Sequence, residues 1–281
     1  MKVALTVVFL FTIIPYSFSI ADTQPSQPSQ VNLIRGWDSA DGSDYFVDAD
    51  INLAGPRLSL GYGESDAVSG ATVLNTTTKL IGIISNPLKD SSAGISYSEW
   101  GQDGEINIKT YRLDLVFNTD NWSFTLAPQT RVIELHTLAA KRPVIDIDSD
   151  GINLAINYYG AGPLYIGIGY SKHDYSRDVS VLDSYPILAL LFSPASLQHA
   201  YGFEKERHSG NMGLLFDWGS IGIDGLRSIS EVDNSVSTSI SASVQYSVNK
   251  HWNLNMQSGQ SDNSFSTVKT TFTSVGVGYR F

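Results

Sequence analysis

The most constraining feature of the sequence is a period-2 alternation of apolar and polar residues that recurs along most of the chain. In the segment 235–248, apolar residues occupy one set of alternate positions, while serines and a glutamine occupy the other. Successive side chains of a β-strand point to opposite faces, so each such segment predicts a strand with one apolar and one polar face. The chain is therefore predicted to be all-β.

The length of these segments separates two kinds of β protein. They run for about 9–14 residues, whereas strands of globular proteins are usually about 5–6 residues long and tilted membrane-crossing strands need about 9–11. Turn residues separate the segments, as at Gly55-Pro56 and Asn249-Lys250. Alternation alone also fits a soluble β-sandwich, in which one face meets the core and the other meets water. The segment length favours strands that cross a membrane.

The C-terminal segment carries a resemblance to a known class of protein. It reads TVKTTFTSVGVGYRF, with Val275, Val277 and Tyr279 at alternate positions before the final Phe281. This pattern resembles the C-terminal signature of Gram-negative outer-membrane β-barrel (porin-like) proteins, and it does not single out a narrower family. The resemblance implies a transmembrane antiparallel up-and-down β-barrel in the cell outer membrane. It also implies outer-membrane lipid, lipopolysaccharide and the barrel assembly machinery as partners, the last through the C-terminal strand.

The N-terminal residues predict a targeting signal. Lys2, the apolar run after it and the small residues before Asp22 identify residues 1–21 as a secretory signal peptide. The alternative is a membrane anchor, but the apolar run is too short to span a bilayer as a helix. Residues 22–30 predict a polar linker, because they are rich in Pro, Ser and Gln. We expect residues 31–281 to form the barrel.

The number of strands follows from the turn positions. Turns from Tyr45 onward divide the chain into about 13 segments, but bacterial barrels have an even number of strands. A first strand near 31–37, joined through Asp41-Gly42, raises the count to about 14. Loss of the weak segment around 76–84 would instead give about 12. We expect 14, with 12 as the alternative.

Aromatic residues predict where the membrane boundary lies. In barrels of this class, short turns face the periplasm and long loops face outward. Tryptophan and tyrosine prefer membrane interfaces, so aromatic residues beside the short turns predict a girdle at that end. The alternative is that aromatic residues gather at strand ends of any sheet. The residues concerned are Trp122, Trp218, Trp252, Phe117, Tyr158 and Tyr165.

The charged residues within the strands predict the lining of the barrel. A charge on the lipid face costs about 2–4 kcal/mol near the bilayer midplane, so these side chains should face the lumen. A surplus of aspartate favours cations; alternatively, aspartate and arginine pair across the lumen and plug it. With 28 acidic and 18 basic residues, the chain is not expected to bind nucleic acid. The predicted pore-lining residues are Asp48, Asp50, Arg112, Asp114, Asp217 and Asp224.

The longest predicted external loop, 177–208, is unusually apolar. We expect it to fold into the mouth as a constriction or an apolar ligand site, or to pack at the outer lipid boundary; alternatively it covers neighbouring loops. The residues concerned are Tyr185, Ile187, Leu190 and Phe192.

The sequence offers no convincing catalytic or metal site. There is no cysteine, and the five histidines are scattered. His208 and Ser209 are adjacent, so on a strand they point to opposite faces. Asp148, Asp150, His173 and Asp174 resemble protease residues at an outer rim, but a cross-strand ion pair explains them without catalysis. We therefore expect no enzyme activity, cofactor or metal.

The predicted function is porin-like passage or binding of small solutes. Polar and charged residues on the inward face suit a water-filled lumen, and nothing in the pattern identifies the solute. The alternative is a closed barrel that acts as a structural or adhesive surface protein through its external loops.

Overall fold

The computed structural model describes residues 28–53, 55–69, 72–85, 90–102, 104–136, 145–160, 162–180, 203–264 and 269–281. These residues form a closed barrel of 14 strands. The strands are β1 Gln30–Asp38, β2 Ser43–Asn52, β3 Arg57–Ser69, β4 Thr72–Ile84, β5 Ser91–Gln102, β6 Ile106–Asn118, β7 Trp122–Leu135, β8 Ile145–Tyr159, β9 Leu164–Tyr175, β10 Glu204–Phe216, β11 Gly219–Ser230, β12 Val236–Ser247, β13 Trp252–Asn263 and β14 Thr270–Arg280.

Each strand pairs antiparallel with its neighbours in sequence, and β1 closes the barrel by pairing with β14. Closure leaves no strand edge with unpaired backbone groups, as a lipid environment requires. The prediction of an up-and-down barrel with 14 strands is confirmed. The segment near 31–37 is β1, and the segment around 76–84 lies within the full-length strand β4, so the 12-strand alternative is wrong.

The barrel has two unlike ends. At the end that holds both termini of the barrel, which we call the short-turn end, strands are joined by brief turns such as 217–218 and 248–251. The opposite end, which we call the long-loop end, carries the two longest connections, 136–144 and 176–203. By the general rule for such barrels, the short-turn end faces the periplasm.

The outer surface of the wall is an apolar belt. Its most exposed large side chains include Ile95 and Ile168, each 61% exposed, and Ile240, at 60%. The alternate residues of the same strands, such as Ser241 and Ser243, face inward and are buried. This arrangement is the reverse of a water-soluble protein. Within the described residues, no helix is long and apolar enough to cross a membrane.

Aromatic side chains gather on the outer surface at the short-turn end. Trp122 packs against Tyr158 with ring centroids 4.7 Å apart, and Trp252 packs against Tyr279 at the same distance. Trp218 stacks on the neighbouring Phe216. These contacts form the expected girdle, with one exception: Tyr165 lies at the same end but faces inward, because it shares the face of Gly167 and Ser171.

Candidate functional site: the inner wall of the barrel

Five of the six predicted lining residues are on the inward face of a strand. Three of them, in β2 and β11, accept hydrogen bonds from neighbouring side chains. Asn32 donates to Asp48 over 2.8 Å, and the hydroxyl of Ser59 donates to Asp50. The hydroxyl of Ser243 lies 3.4 Å from the carboxylate of Asp224.

The other two inward residues, Arg112 and Asp114, are two residues apart on β6 and form an ion pair with each other. Only 9% of the Arg112 side chain and 2% of the Asp114 side chain are exposed. The pair therefore runs along one strand rather than across the lumen.

Asp217, which we expected among the inward-facing strand residues, lies instead in the exposed turn between β10 and β11. We had placed this turn at Gly219-Ser220. In the structure Phe216 pairs with Gly219, and β11 begins at Gly219. The turn is therefore Asp217-Trp218, and the alternation of β10 stops one residue before Asp217.

The inward aspartates on β2 form what we call the acidic sector. Asp44, Asp48 and Asp50 occupy alternate positions of this strand, and Asp44 completes the set because its carboxylate lies against the inward Gly36. Sequence analysis did not select Asp44, although it has the same parity as Asp48. The three carboxylates place negative charge along one strip of the wall.

The opposite part of the wall carries arginines. In a 14-strand barrel, the strand halfway around from β2 is β9, and three inward arginines lie on β6, β7 and β10, within three strands of it. Arg57 on β3 and Arg280 on β14 also share the inward parity of their strands, at the short-turn end. We call Arg112, Arg131 and Arg207 the basic sector. Arg131 and Arg207 are 6% and 5% exposed, and sequence analysis did not select either of them. Their inward parity on alternating strands was the signal that could have found them.

Carboxylates balance part of this positive charge. Both Nε and Nη2 of Arg207 lie 2.6 Å from Oε2 of Glu204, and the hydroxyl of Ser171 donates to Oε1 of the same glutamate over 3.0 Å. Asp114 pairs with Arg112. The basic sector thus holds three arginines and two carboxylates, whereas the acidic sector holds three carboxylates.

Large inward side chains lie along the wall over glycines. A Cβ on Gly61 would lie 2.7 Å from the ring of Phe46, and a Cβ on Gly222 would lie 2.5 Å from the hydroxyl of Tyr165. His173 covers Gly151 and places Nε2 3.0 Å from Nε2 of Gln129, two strands away. Because these side chains lie flat over glycines, they project less into the lumen.

The inner wall of β12 and β13 is neutral and polar. The buried inward residues are hydroxyl and amide side chains, and Gln257 donates to Ser241 over 2.9 Å. Such groups can exchange hydrogen bonds with water or with a polar solute without carrying charge. The residues are Ser241, Ser243, Gln245, Asn253 and Gln257.

An apolar cluster lies inside the barrel at the long-loop end. Val179 and Phe203, which flank the longest loop, are 1% and 3% exposed and belong to this cluster. Tyr175 stacks on Phe203 and donates its hydroxyl to the carbonyl of Glu204 over 2.8 Å. Both roots of the loop are therefore anchored inside the wall. The other members are Trp100, Ile106, Ile108, Ile133, Ile147 and Val232.

Asp178, at the root of this loop, lies outside the strands. The backbone N–H of Ser180 donates to Asp178 over 2.9 Å, and hydrogen bonds from Ser180 hold the pKa of Asp178 below its usual range. The predicted loop residues Tyr185, Ile187, Leu190 and Phe192 lie outside the described residues.

The considered catalytic residues do not share a face. His173 faces inward and is 2% exposed, whereas Asp150 and Asp174 are exposed on the outer surface. Asp150 pairs in register with Asp174, and Lys172 lies 3.8 Å from Asp174. The described residues contain no group of three or more acidic or histidine side chains arranged to hold a metal ion.

The structure is similar to solved outer-membrane proteins. The outer membrane protein Omp33 of Acinetobacter baumannii has a TM-score of 0.50 and 8% sequence identity, and the similarity covers 91% of this chain and 98% of that one. The fold is that of a porin-like outer-membrane β-barrel. The porin NanC gives a TM-score of 0.50 at 8% identity, with 89% of this porin-like barrel and 100% of NanC covered. No protein-family model and no curated protein matches its sequence.

Proposed function

We propose that this barrel is a channel that passes or transiently binds small polar solutes. The observation that carries the proposal is the inner wall, where the acidic sector and the basic sector lie on different sides of the lumen and the wall of β12 and β13 between them presents hydroxyl and amide groups. Charges placed this way act on a solute from both sides. Their electrostatic interaction with the solute is stronger in a confined lumen than in bulk water.

The lining residues of this proposed pathway are the inward members of the predicted set, and Asp217 is left out because of its place in the turn. The long loop, with Tyr185, Ile187, Leu190 and Phe192, is proposed to narrow the mouth, since Val179 and Phe203 anchor its roots inside the wall. The proposed lining residues are Asp48, Asp50, Arg112, Asp114 and Asp224.

A second candidate function is a closed barrel that acts through its external loops as a structural or adhesive surface protein. The apolar cluster inside the long-loop end favours it, because buried apolar side chains there occupy part of the mouth. Neither candidate needs a catalytic residue, a metal or a cofactor, and we propose no enzyme activity.

Conductance in planar lipid bilayers separates the two candidates. We expect discrete current steps from protein whose folding is first established by heat-modifiable gel migration. Deletion of residues 183–200 should raise the conductance if the loop narrows the mouth. Folded protein that passes no current would reject the channel and support the closed barrel.

We also propose how the chain reaches the membrane. Residues 1–21 would be removed as a signal peptide, residues 22–30 would serve as a polar linker, and the last strand would be recognised by the barrel assembly machinery of a Gram-negative cell. The support is the alternation of the C-terminal residues, of which Val275 and Tyr279 face outward. Removal of Phe281 should slow assembly, which pulse-labelling of membrane fractions would measure.

A further inference from the structure

Two glycines on neighbouring strands leave a gap in the apolar belt. Gly210 on β10 and Gly225 on β11 are register partners, and both face outward and are exposed. A Cβ on either would meet nothing nearer than 3.9 Å. At every other strand glycine whose surroundings the structure describes, a Cβ would meet an atom at 3.1 Å or less. Packing within the barrel accounts for those glycines but not for this pair.

Apolar side chains border the gap, which we call the glycine dent. Ile168 on β9 and Ile240 on β12 lie beside the two glycines in register, and they are 61% and 60% exposed. Met212 and Ile223 close the dent toward the short-turn end and are also more than half exposed. Three strand spacings separate β9 from β12, or about 14 Å, so the dent has the scale of a lipid acyl chain.

An arginine and a histidine border the dent toward the long-loop end. His208 and Arg227 are register partners two residues beyond the glycines, and both are exposed on the outer surface. Arg227 has no ion pair or hydrogen bond with any other described residue. The ring of His208 packs on Tyr170 at 5.1 Å, and its Nε2 lies 3.9 Å from Glu206.

We propose that the glycine dent binds an acyl chain of an outer-leaflet glycolipid such as lipopolysaccharide, whose anionic phosphate contacts Arg227 and His208. The arrangement matches such a lipid, because Arg227 and His208 lie where the apolar belt ends and arginine pairs strongly with phosphate. A second copy of this chain fits less well. A two-fold contact through the dent would bring Arg227 near its own counterpart, and like charges repel.

The test measures binding of purified bisphosphorylated lipid A to the full-length protein in detergent by native mass spectrometry. We expect Arg227→Gln to weaken binding about fivefold, the effect of one surface cation on an anionic lipid. Gly225→Leu should also weaken binding, because its side chain fills the dent. The matched controls are Arg35→Gln and Ala93→Leu, which change outward-facing residues on β1 and β5 and should leave affinity within about twofold.

Four outcomes would overturn the proposal. An equal loss of lipid A affinity in Arg227→Gln and Arg35→Gln would mean that lipid A binding depends on surface charge alone. Unchanged binding in Gly225→Leu would mean that no acyl chain enters the dent. A change of oligomeric state in Gly225→Leu, with lipid A binding unchanged, would assign the dent to a second copy. Inorganic pyrophosphate serves as a separate probe. Equal affinity for pyrophosphate and for lipid A would mean that Arg227 and His208 bind free phosphate rather than the lipid. Heat-modifiable migration must show each variant folded.

Discussion

An arginine introduced on the outer face should destabilise the barrel far more than one introduced at the next residue along the strand. Met256 on β13 is 54% exposed on the outer surface, and its register partners Val244 and Val275 are outward too. Asn255 precedes it and faces the lumen. Met256→Arg and Asn255→Arg thus place the same charge on opposite faces of one strand.

The depth of Met256 sets the magnitude. It lies four residues beyond Trp252 in the aromatic girdle, which is about 13 Å along the strand and about 10 Å along the membrane normal after tilt. The apolar belt of such barrels is about 25 Å tall, so Met256 lies close to the midplane. The cost of arginine there is about 2–4 kcal/mol. With a slope of about 2 kcal/mol per molar urea, the unfolding midpoint should fall by about 1–2 M.

Urea titration of the protein folded in phospholipid vesicles, followed by tryptophan fluorescence, measures this difference. Asn255→Arg should cost less than Met256→Arg, because the side chain faces the lumen and is only partly buried, and its neighbours there are polar. Gln260→Arg, outward but nearer the polar rim at the long-loop end, should fall between the two. Equal costs for Met256→Arg and Asn255→Arg would refute the assignment of an apolar outside and a polar inside.

Three further predictions concern the inner wall. Arg112→Gln should destabilise the barrel by about 3–5 kcal/mol in the same titration, because it leaves Asp114 as a buried charge without its partner. The double variant Arg112→Gln/Asp114→Asn should recover most of this lost stability. If it recovers none, Arg112 and Asp114 do not act as a pair. If the barrel conducts, Asp48→Asn should lower the cation-to-anion permeability ratio about threefold, the effect of a unit charge at about 6 Å in water; an unchanged reversal potential would count against its role. Gly259→Ala should cost about 1–3 kcal/mol by overpacking, whereas Gly225→Ala should be neutral or slightly stabilising, and equal effects would argue against the difference in their surroundings.

Most of the fold could be predicted from the sequence, because strand period and membrane thickness leave few solutions. The face of each residue follows from parity once one strand is oriented, which is why Asp48 and Arg112 were placed inward. The first strand was predicted because the barrel needs an even number of strands, not because its own residues show a clear alternation of apolar and polar side chains. An odd count cannot close an all-antiparallel barrel, so a strand had to be added or lost, and the added strand near 31–37 is the one that the structure contains.

The errors arose at strand ends, where position beside a turn and position in the alternation give different answers. Asp217 was misplaced because β10 ends at Phe216, and a shift of the turn by two residues removes it from the strand. Tyr165 was placed in the girdle by its position near a turn, although its parity with Gly167 puts it on the inner face. The depth at which Val179 and Phe203 anchor the long loop could not be predicted, because it depends on contacts between segments distant in sequence.

The inward glycines show how the sequence specifies its own register. Five antiparallel pairs illustrate this: in each, a glycine lies directly opposite a larger inward side chain, and a Cβ on the glycine would collide with that side chain. A slip of two residues would keep the faces correct, so the apolar pattern alone does not forbid it. The same slip would place His173, Tyr165 and Phe272 opposite residues that carry a Cβ. Complementary size across the strands therefore fixes the register that alternation leaves open. The pairs are Phe46 with Gly63, His173 with Gly151, Tyr165 with Gly213, Phe272 with Gly259 and Asn32 with Gly278.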